Sequence, residues 1–284
     1  MIKYAGWYNE LAVISSLSRQ ESIACQPGLE GCAMSGHSKW STIKRKKAAI
    51  DAKRGAIFTR LAREITIATR EGGGDPDTNF GLRLAIERAK NNNMPKGNIE
   101  RAIKRGTGMD KQGTSLEQIM YEGYAPNGIA LLIDVVTDNR NRAVAEARHV
   151  LTSAGGNLAD AGSVAWQFRR AAYFAFPVAD YDQEEVFDLA VEAGAEDVIL
   201  GDDDIEIIAP VEAFKEVSDR LREADIRPDE AALKMLPNSV VQLSSDRAVK
   251  VMRIIEELED LTDVQNVYTN LEITEAAVVL LEAA

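Results

Sequence analysis

The sequence is poor in the residues that build disulfide frameworks, metal centres and nucleophilic active sites. Its 284 residues include only two cysteines, Cys25 and Cys32, and two histidines, His37 and His149. Beyond residue 33 the chain can therefore form no internal disulfide and no thiolate metal site. Zinc hydrolase and Cys-His chemistry lack their ligands and bases. We expect no metal, no other cofactor and no small-molecule substrate, and a reducing, cytoplasmic setting fits this cysteine usage.

Long apolar runs are also lacking. The longest are GIALLIDVV at residues 128–136 and AAVVLLEAA at residues 276–284. A membrane-spanning helix requires about 20 predominantly apolar residues. The sequence therefore predicts no membrane span.

Residues 1–33 have the features of a poor signal peptide. One lysine, Lys3, precedes an apolar stretch that serines interrupt, and no small-residue cleavage site follows. We expect a disordered or weakly helical extension. Because Met34 directly precedes a basic region, a mis-assigned start codon is an equally good explanation of this leader.

Negative charge exceeds positive charge in the chain as a whole, whose formal net charge is -12, but positive charge is concentrated in one segment. Residues 34–113 carry 18 Lys and Arg against eight Asp and Glu, a net charge of +10. Residues 114–284 carry 13 against 34, a net charge of -21. Such asymmetry indicates a nucleic-acid-binding module joined to acidic domains.

The basic segment is predicted to be helical, because its apolar residues recur at helical spacing. These positions are Ile43, Ile50 and Ile57, then Phe58, Leu61, Ile65 and Ala68, and later Leu82, Ile86 and Ala89. Trp40 lies three residues before Ile43, which favours a core anchor over a base-stacking residue. The segment is therefore expected to form an all-α domain.

Basic side chains of this domain are the candidate nucleic-acid contacts, together with an arginine-rich stretch at residues 137–148. Helical spacing places several of them on faces away from the apolar stripes, including the outside of the second helix. His37 serves equally well as a phosphate contact or as a helix cap. The candidates are His37, Lys39, Lys44, Arg45, Lys47, Lys53, Arg54, Arg60, Arg63, Arg101, Lys104, Arg105, Arg140 and Arg142.

Strands and helices alternate after residue 114. GIALLIDVV, SVAWQF, NSVVQL and VQNVYTNLEI are predicted strands, and helices are predicted at residues 141–156 and 246–261. Between them, residues 171–236 have a complete βαββαβ series whose hairpin turn is GDDD. Asp202 to Asp204 match no calcium-loop spacing, so a solvated turn is expected there.

The predicted fold class is α+β multidomain, with an N-terminal helical domain followed by two ferredoxin-like α/β domains, one inserted in the other. The boundaries are 1–33 for the leader, 34–113 for the helical domain, 114–170 plus 237–284 for the discontinuous domain, and 171–236 for the inserted acidic domain.

Several motifs resemble the YebC/PmpR family, whose mitochondrial relatives include a translational activator. They include GHSKWSTIKRKKAAIDAKRGAIF, NMPKGNIERAIKRG, YEGYAPNGIALL and DVQNVYTNLEI. The resemblance runs from Met34 almost to the C-terminus and departs from the family's usual glycines at Ala125 and Asn127. It implies a cytoplasmic, non-enzymatic protein of three domains that regulates gene expression as a DNA-binding transcriptional regulator. Some family members resemble ribosome-associated factors that assist synthesis through proline-rich stretches.

Three functional hypotheses follow. A duplex-DNA regulator, the first of them, requires a recognition helix, and the sequence shows no clear one. An rRNA-binding translation factor on the ribosome, the alternative, requires only shape and backbone contacts. A nuclease would need convergent carboxylates, and the acidic residues of the basic segment are too scattered for that. The sequence leaves the choice between DNA and rRNA, and the oligomeric state, open.

Overall fold

The computed structural model describes residues 54–108, 116–201 and 204–282. Six predicted contacts, His37, Lys39, Lys44, Arg45, Lys47 and Lys53, lie outside these ranges, as do the leader and Trp40. The side chain of Arg54 is likewise not among the described ones. None of the helices within the described ranges is both long and apolar enough to cross a membrane.

The described part of the N-terminal domain contains the helices α1 (Arg54–Gly72), α2 (Phe80–Asn91) and α3 (Lys96–Gly106). Their shared core contains Leu61 and Ile65 from α1, Leu82 from α2 and Ile99 from α3, all buried. The helical stripes predicted from the sequence are therefore confirmed where the structure describes them. Burial of these side chains supplies most of what holds the three helices together.

Asn79 fixes the connection between α1 and α2. Its side-chain oxygen accepts a hydrogen bond from the backbone N–H of Leu82, which caps the start of α2. Its amide group donates to the carbonyl oxygens of Ala68 and Gly73, each at 2.7 Å. One buried side chain thus joins the end of one helix to the beginning of the next.

The other elements form two antiparallel sheets with helices. In chain order they are β1 (Glu117–Ala125), β2 (Ile129–Thr137), α4 (Arg140–Ser153), β3 (Asn157–Ala159), β4 (Phe168–Pro177), α5 (Gln183–Glu192), β5 (Asp197–Leu200), β6 (Asp204–Ala209), α6 (Phe214–Glu223), β7 (Glu230–Pro237), α7 (Ser245–Asp260), β8 (Val264–Thr269) and α8 (Glu275–Glu282). The strand orders are β3-β1-β2-β8 and β5-β6-β4-β7.

Strand β2 lies at the centre of the first sheet and is buried at every residue. Leu131 and Ile133 belong to the core that packs with α4, α7 and α8. Leu132 belongs to a cluster on the other side, with Phe168 and Tyr268. Because both faces of the strand are covered, its sequence is a continuous apolar run instead of an alternating one.

The second sheet follows the predicted βαββαβ series from β4 to β7, and its strands all come from the chain between β3 and α7. Its core is rich in aromatic residues. Phe174 and Phe214 have ring centroids 4.7 Å apart, and Phe176 packs edge-on against Tyr181. The α+β multidomain fold, with a helical domain followed by two α/β domains, is confirmed.

Two predicted strands of the first sheet are wrong. SVAWQF contains a 3₁₀ turn at Ala165–Gln167 and enters β4 only at its last residue, and Trp166 is 71% exposed whereas Val164 is buried. NSVVQL forms a single bridge, between Val241 and Leu271. The sheet is completed instead by β1 and β3, which the sequence analysis did not identify, and α8 was also missed. In this sheet the β1-β2 hairpin lies in the middle. The edge strands are β3, which follows α4, and β8, which follows α7.

Candidate nucleic-acid interface

Helix α3 exposes a basic face. Lys96, Arg101, Lys104 and Arg105 are all exposed, while Ile99 on the opposite side is buried against α1. Arg101, Lys104 and Arg105 were predicted from the sequence, whereas Lys96, the first residue of the helix, was missed. The structure therefore brings four cations together on one element of the basic domain.

The end of α3 lies unusually close to α1. A Cβ atom at Gly106 would lie 2.5 Å from the Cβ of Thr69 and 2.6 Å from the carbonyl oxygen of Thr66. The hydroxyl of Thr66 donates to the carbonyl of Ala102 at 3.2 Å, which links the two helices. Helix α3 ends at Gly106, where a glycine is required for close packing, and the cap residue is Thr107.

A groove of about 230 Å³ opens between α1 and α3. Phe58, Ala62, Met94 and Ala102 supply apolar surface. The polar residues that line it are Thr59, Asn98, Arg101 and Arg105. None of the described lining residues is acidic, so the groove combines apolar walls with positive charge.

The prediction that arginines line the open outside of this helix, α1, is wrong for Arg60 and Arg63, which are partly buried, whereas Arg70 is exposed. Arg60 donates to the carbonyl of Glu259 and Arg63 to the carbonyl of Thr262, at the C-terminal end of α7. Arg70 donates to the carbonyl of Leu116. Cations are favoured at a helix C-terminus, where unpaired carbonyl groups accept hydrogen bonds. These arginines dock the helical domain against the first α/β domain.

Asp263 is the centre of this docking contact and is only 2% exposed. Its carboxylate lies 2.8 Å from Arg63, 2.7 Å from Arg142 and 2.8 Å from the hydroxyl of Thr137. Burial by itself would raise the pKa of this carboxyl group. The hydrogen bonds and the two guanidinium charges outweigh burial and hold the pKa of Asp263 below its usual value.

The arginine-rich stretch of α4 is divided by this arrangement. Arg140 and Arg142 are both exposed, and Arg142 is paired with Asp138 and Asp263. Arg148 and His149 are exposed on the same helix. Of the predicted pair, Arg142 is the one whose guanidinium group is held by carboxylates.

A second contact joins the helical domain to the inserted domain. Arg88 pairs with Glu64 at 2.8 Å and donates to the carbonyl of Ala231 in β7 at 3.0 Å. Phe80 packs edge-on against Phe214, with ring centroids 5.0 Å apart. Neither contact has a signal in the local sequence pattern, because both depend on how whole domains pack.

The expectation of a solvated turn at Asp202 to Asp204 is wrong for Asp204. This residue begins β6 and is 6% exposed, and its carbonyl accepts a hydrogen bond from the backbone N–H of Gly201. Asp202 and Asp203 lie outside the described residues.

Comparison with known proteins connects this architecture to a family. Residues 38–109 match the TACO1/YebC protein N-terminal domain, and residues 116–271 match the TACO1/YebC second and third domain. The chain belongs to the TACO1/YebC family. The two matches divide the chain at the same place where the structure changes from helices to sheets.

Individual relatives of this TACO1/YebC protein agree with the assignment. A probable transcriptional regulatory protein of Acidithiobacillus ferrooxidans is 49% identical over 250 residues, which cover 88% of this chain and 99% of that one. One from Rubrobacter xylanophilus is 49% identical over 85% of this chain and 97% of its own. The crystal structure of a conserved hypothetical protein from Aquifex aeolicus is 44% identical, with a TM-score of 0.74 over 79% of this chain and 93% of that one. The family is non-enzymatic, and the chain is accordingly not an enzyme.

Proposed function

We propose that this chain is a cytoplasmic, nucleic-acid-binding regulator of gene expression, and that the exposed face of α3 and the basic segment before α1 form its contact surface. The observation that carries the proposal is the set of exposed cations on α3, Lys96, Arg101, Lys104 and Arg105. Lys and Arg side chains on one face neutralise backbone phosphates, which supply most of the affinity of non-specific nucleic-acid binding.

Duplex DNA is the first candidate target. The curated relatives carry the name probable transcriptional regulatory protein. Helix α3 follows α2 after a connection of four residues, 92–95, as the second helix of a helix-turn-helix does. With its exposed cations, α3 is therefore the described element best suited to enter a major groove.

Folded RNA, including rRNA on the ribosome, is the second candidate. The groove between α1 and α3 favours it, because apolar walls beside arginines suit an unpaired base. A duplex keeps its bases stacked inside and would contact only the arginines at the mouth of such a groove.

The test neutralises the basic face. A variant with Arg101→Gln, Lys104→Gln and Arg105→Gln should fold normally, because all three side chains are exposed. Each phosphate contact that is lost reduces the slope of log affinity against log salt by about 0.9 for B-DNA and about 0.7 for single strands. The variant should therefore lose roughly two to three units of slope.

A matched control removes the same charge from the acidic inserted domain, with Arg220→Gln, Arg222→Gln and Arg227→Gln, which are also exposed. Affinity and salt slope are measured by fluorescence anisotropy on duplex DNA, and ribosome binding by co-sedimentation. Equal effects of the two triple variants would show that only net charge matters, and would contradict the assignment of the surface. Strong ribosome binding with weak, sequence-independent DNA binding would favour the second target over the first.

A further inference from the structure

The groove between α1 and α3 has the chemistry of a nucleotide slot. Phe58 and Met94 give it apolar surface, and Arg101 and Arg105 add positive charge. A flat aromatic ring attached to an anion matches both properties at once. Basic peptides and metal cations do not, because the described lining residues include no carboxylate.

We propose that this groove binds an unpaired base of a folded RNA, with the base against Phe58 and the neighbouring phosphates at Arg101 and Arg105. The proposal rests on the proposed function, since it names the partner of that same surface. It commits to RNA and to one subsite within the basic domain.

The two arginines are placed for this role by the helix that carries them. They are four residues apart, so they lie one above the other on the same face of α3. Arg101 donates to the carbonyl of Gly97 at 3.1 Å and to the side-chain oxygen of Asn98, which holds its guanidinium group beside the groove. In the part of the chain that the structure describes, the ion pair of α3 joins Lys96 to Glu100, so no carboxylate neutralises Arg101 or Arg105.

The shape of the groove selects unpaired bases. Base pairs in a duplex are stacked and cannot enter a slot between two helices unless a base is flipped out. Folded RNA presents unpaired bases in loops and bulges, and proteins stack such bases on aromatic side chains and guanidinium planes. Thr59 and Asn98 also line the groove and provide polar groups that suit a ribose 2′-hydroxyl, the group that distinguishes RNA from DNA.

The experiment uses the full chain and a fluorescent decamer of adenosine ribonucleotides. Phe58→Leu keeps apolar volume and removes the ring, and should weaken RNA binding about 5- to 150-fold, the usual effect of losing one base-aromatic stack. Its affinity for duplex DNA should not change. Phe58→Tyr keeps the ring and should bind like the parent. The matched control is Phe187→Leu on α5, an exposed phenylalanine of the inserted domain, and it should change nothing.

A second variant keeps the proposal testable if Phe58→Leu does not fold. Ala62→Leu fills the groove without removing the ring or the arginines, and should weaken RNA binding by blocking entry of the base. A decamer with 2-aminopurine reports stacking directly, and its fluorescence should be quenched by the parent and not by Ala62→Leu.

The outcomes separate this inference from the proposed function. If Phe58→Leu and Ala62→Leu both bind RNA like the parent while the α3 triple variant binds weakly, the slot is overturned and the basic surface stands. If the α3 triple variant also binds unchanged, the proposed function fails as well. If the deoxyadenosine decamer binds as tightly as RNA, with the same dependence on Phe58, the commitment to RNA is wrong.

Discussion

Glu122 shows how one buried carboxylate determines a local structure that the sequence pattern does not. It lies on β1, is 8% exposed, and accepts hydrogen bonds from the backbone N–H groups of Gly162, Val164 and Ala165 at 2.6, 2.6 and 2.9 Å. These bonds hold the segment before β4 in a turn. They also lower the pKa of Glu122 below its ordinary value, although burial alone would raise it.

We expect Glu122→Gln to lower the free energy of unfolding at pH 7 by about 1.5–3 kcal/mol, the usual loss for hydrogen bonds to a charged group. Because the folded-state pKa is depressed, the contribution of Glu122 is fully present above the unfolded pKa of about 4.3 and is lost as the pH falls through the lower folded value. The difference between parent and variant should therefore shrink below about pH 4. Urea denaturation at pH 7, 4 and 3 measures it.

Glu117→Gln on the same strand is the control for this prediction. Because Glu117 is exposed, this change should hardly alter the free energy of unfolding. A Glu122→Gln variant whose stability runs parallel to that of the parent at every pH would show that the carboxylate charge is not what holds the turn.

Among the helices, the packing of α3 on α1 depends on a glycine that helix propensity alone would disfavour. At Gly106 a methyl group would meet both the Thr69 side chain and the Thr66 carbonyl oxygen at less than 3 Å. Backbone atoms at such a contact cannot move without moving the helix. Gly106 directly follows Arg105, which lines the groove between these helices, so the close packing lies next to the proposed binding site.

The expected result for Gly106→Ala is a loss of about 1–3 kcal/mol in the free energy of unfolding, because overpacking outweighs the better helix propensity of alanine. Gly97→Ala on the same helix is the matched control. Among the described residues, no atom beyond its chain neighbours and its own helix backbone lies within 4 Å of a Cβ there, so this change should stabilise α3 by up to about 1 kcal/mol. Thermal unfolding of both variants decides the matter, and a stabilised Gly106→Ala variant would contradict the close approach.

At the scale of the molecule, the described part of the helical domain contacts both α/β domains. The helical domain docks on the first α/β domain through Arg60 and Arg63 and on the inserted domain through Arg88 and Phe80. The second sheet has an aromatic core against its helices and a second buried cluster, which includes Tyr173, on its other face. The buried residues of both clusters lie in the inserted domain, and Phe80 and Leu84 of the helical domain pack against the first cluster.

These contacts predict how the inserted domain behaves when it is separated from the rest of the chain. A fragment of residues 166–238 should unfold in one cooperative transition, at a lower temperature than the full chain, because Phe80 and Leu84, which pack against its aromatic core, are absent. Circular dichroism during heating measures the transition. Phe214→Ala in the same fragment should abolish it, since Phe214 packs against Phe174 at the centre of the core. A fragment without any cooperative transition would show that residues 166–238 are not an autonomous domain.

Much of the fold could be predicted because its signals are local. The stripe through Leu61 and Ile65 has helical spacing, and the series from β4 to β7 alternates regularly between short strands and helices. Strand β1 was missed because EQIMYEGYA mixes polar and apolar residues without a clean period. SVAWQF alternates between apolar and polar residues like a strand. It forms a turn instead, because its backbone N–H groups donate hydrogen bonds to the distant carboxylate of Glu122.

The candidate site was predictable only in part, for a similar reason. Helical spacing places Arg63 on the polar face of α1 and Arg105 on the polar face of α3. From the sequence alone, both faces are expected to be exposed to solvent. Only tertiary packing shows that Asp263 and the end of α7 cover the first, while the second stays exposed.

The placement of the second sheet between β3 and α7 has a consequence for synthesis on the ribosome. Asp134 in β2 and Asn266 in β8 are hydrogen-bonded partners 132 residues apart. At translation rates of about 5–20 residues per second, β2 waits roughly 7–26 s for its neighbour. All strands of the second sheet are made within that interval, so this sheet can close before the first one is complete. Until β8 emerges, one edge of the most apolar strand in the chain is unpaired, which makes this interval the time of greatest risk of aggregation.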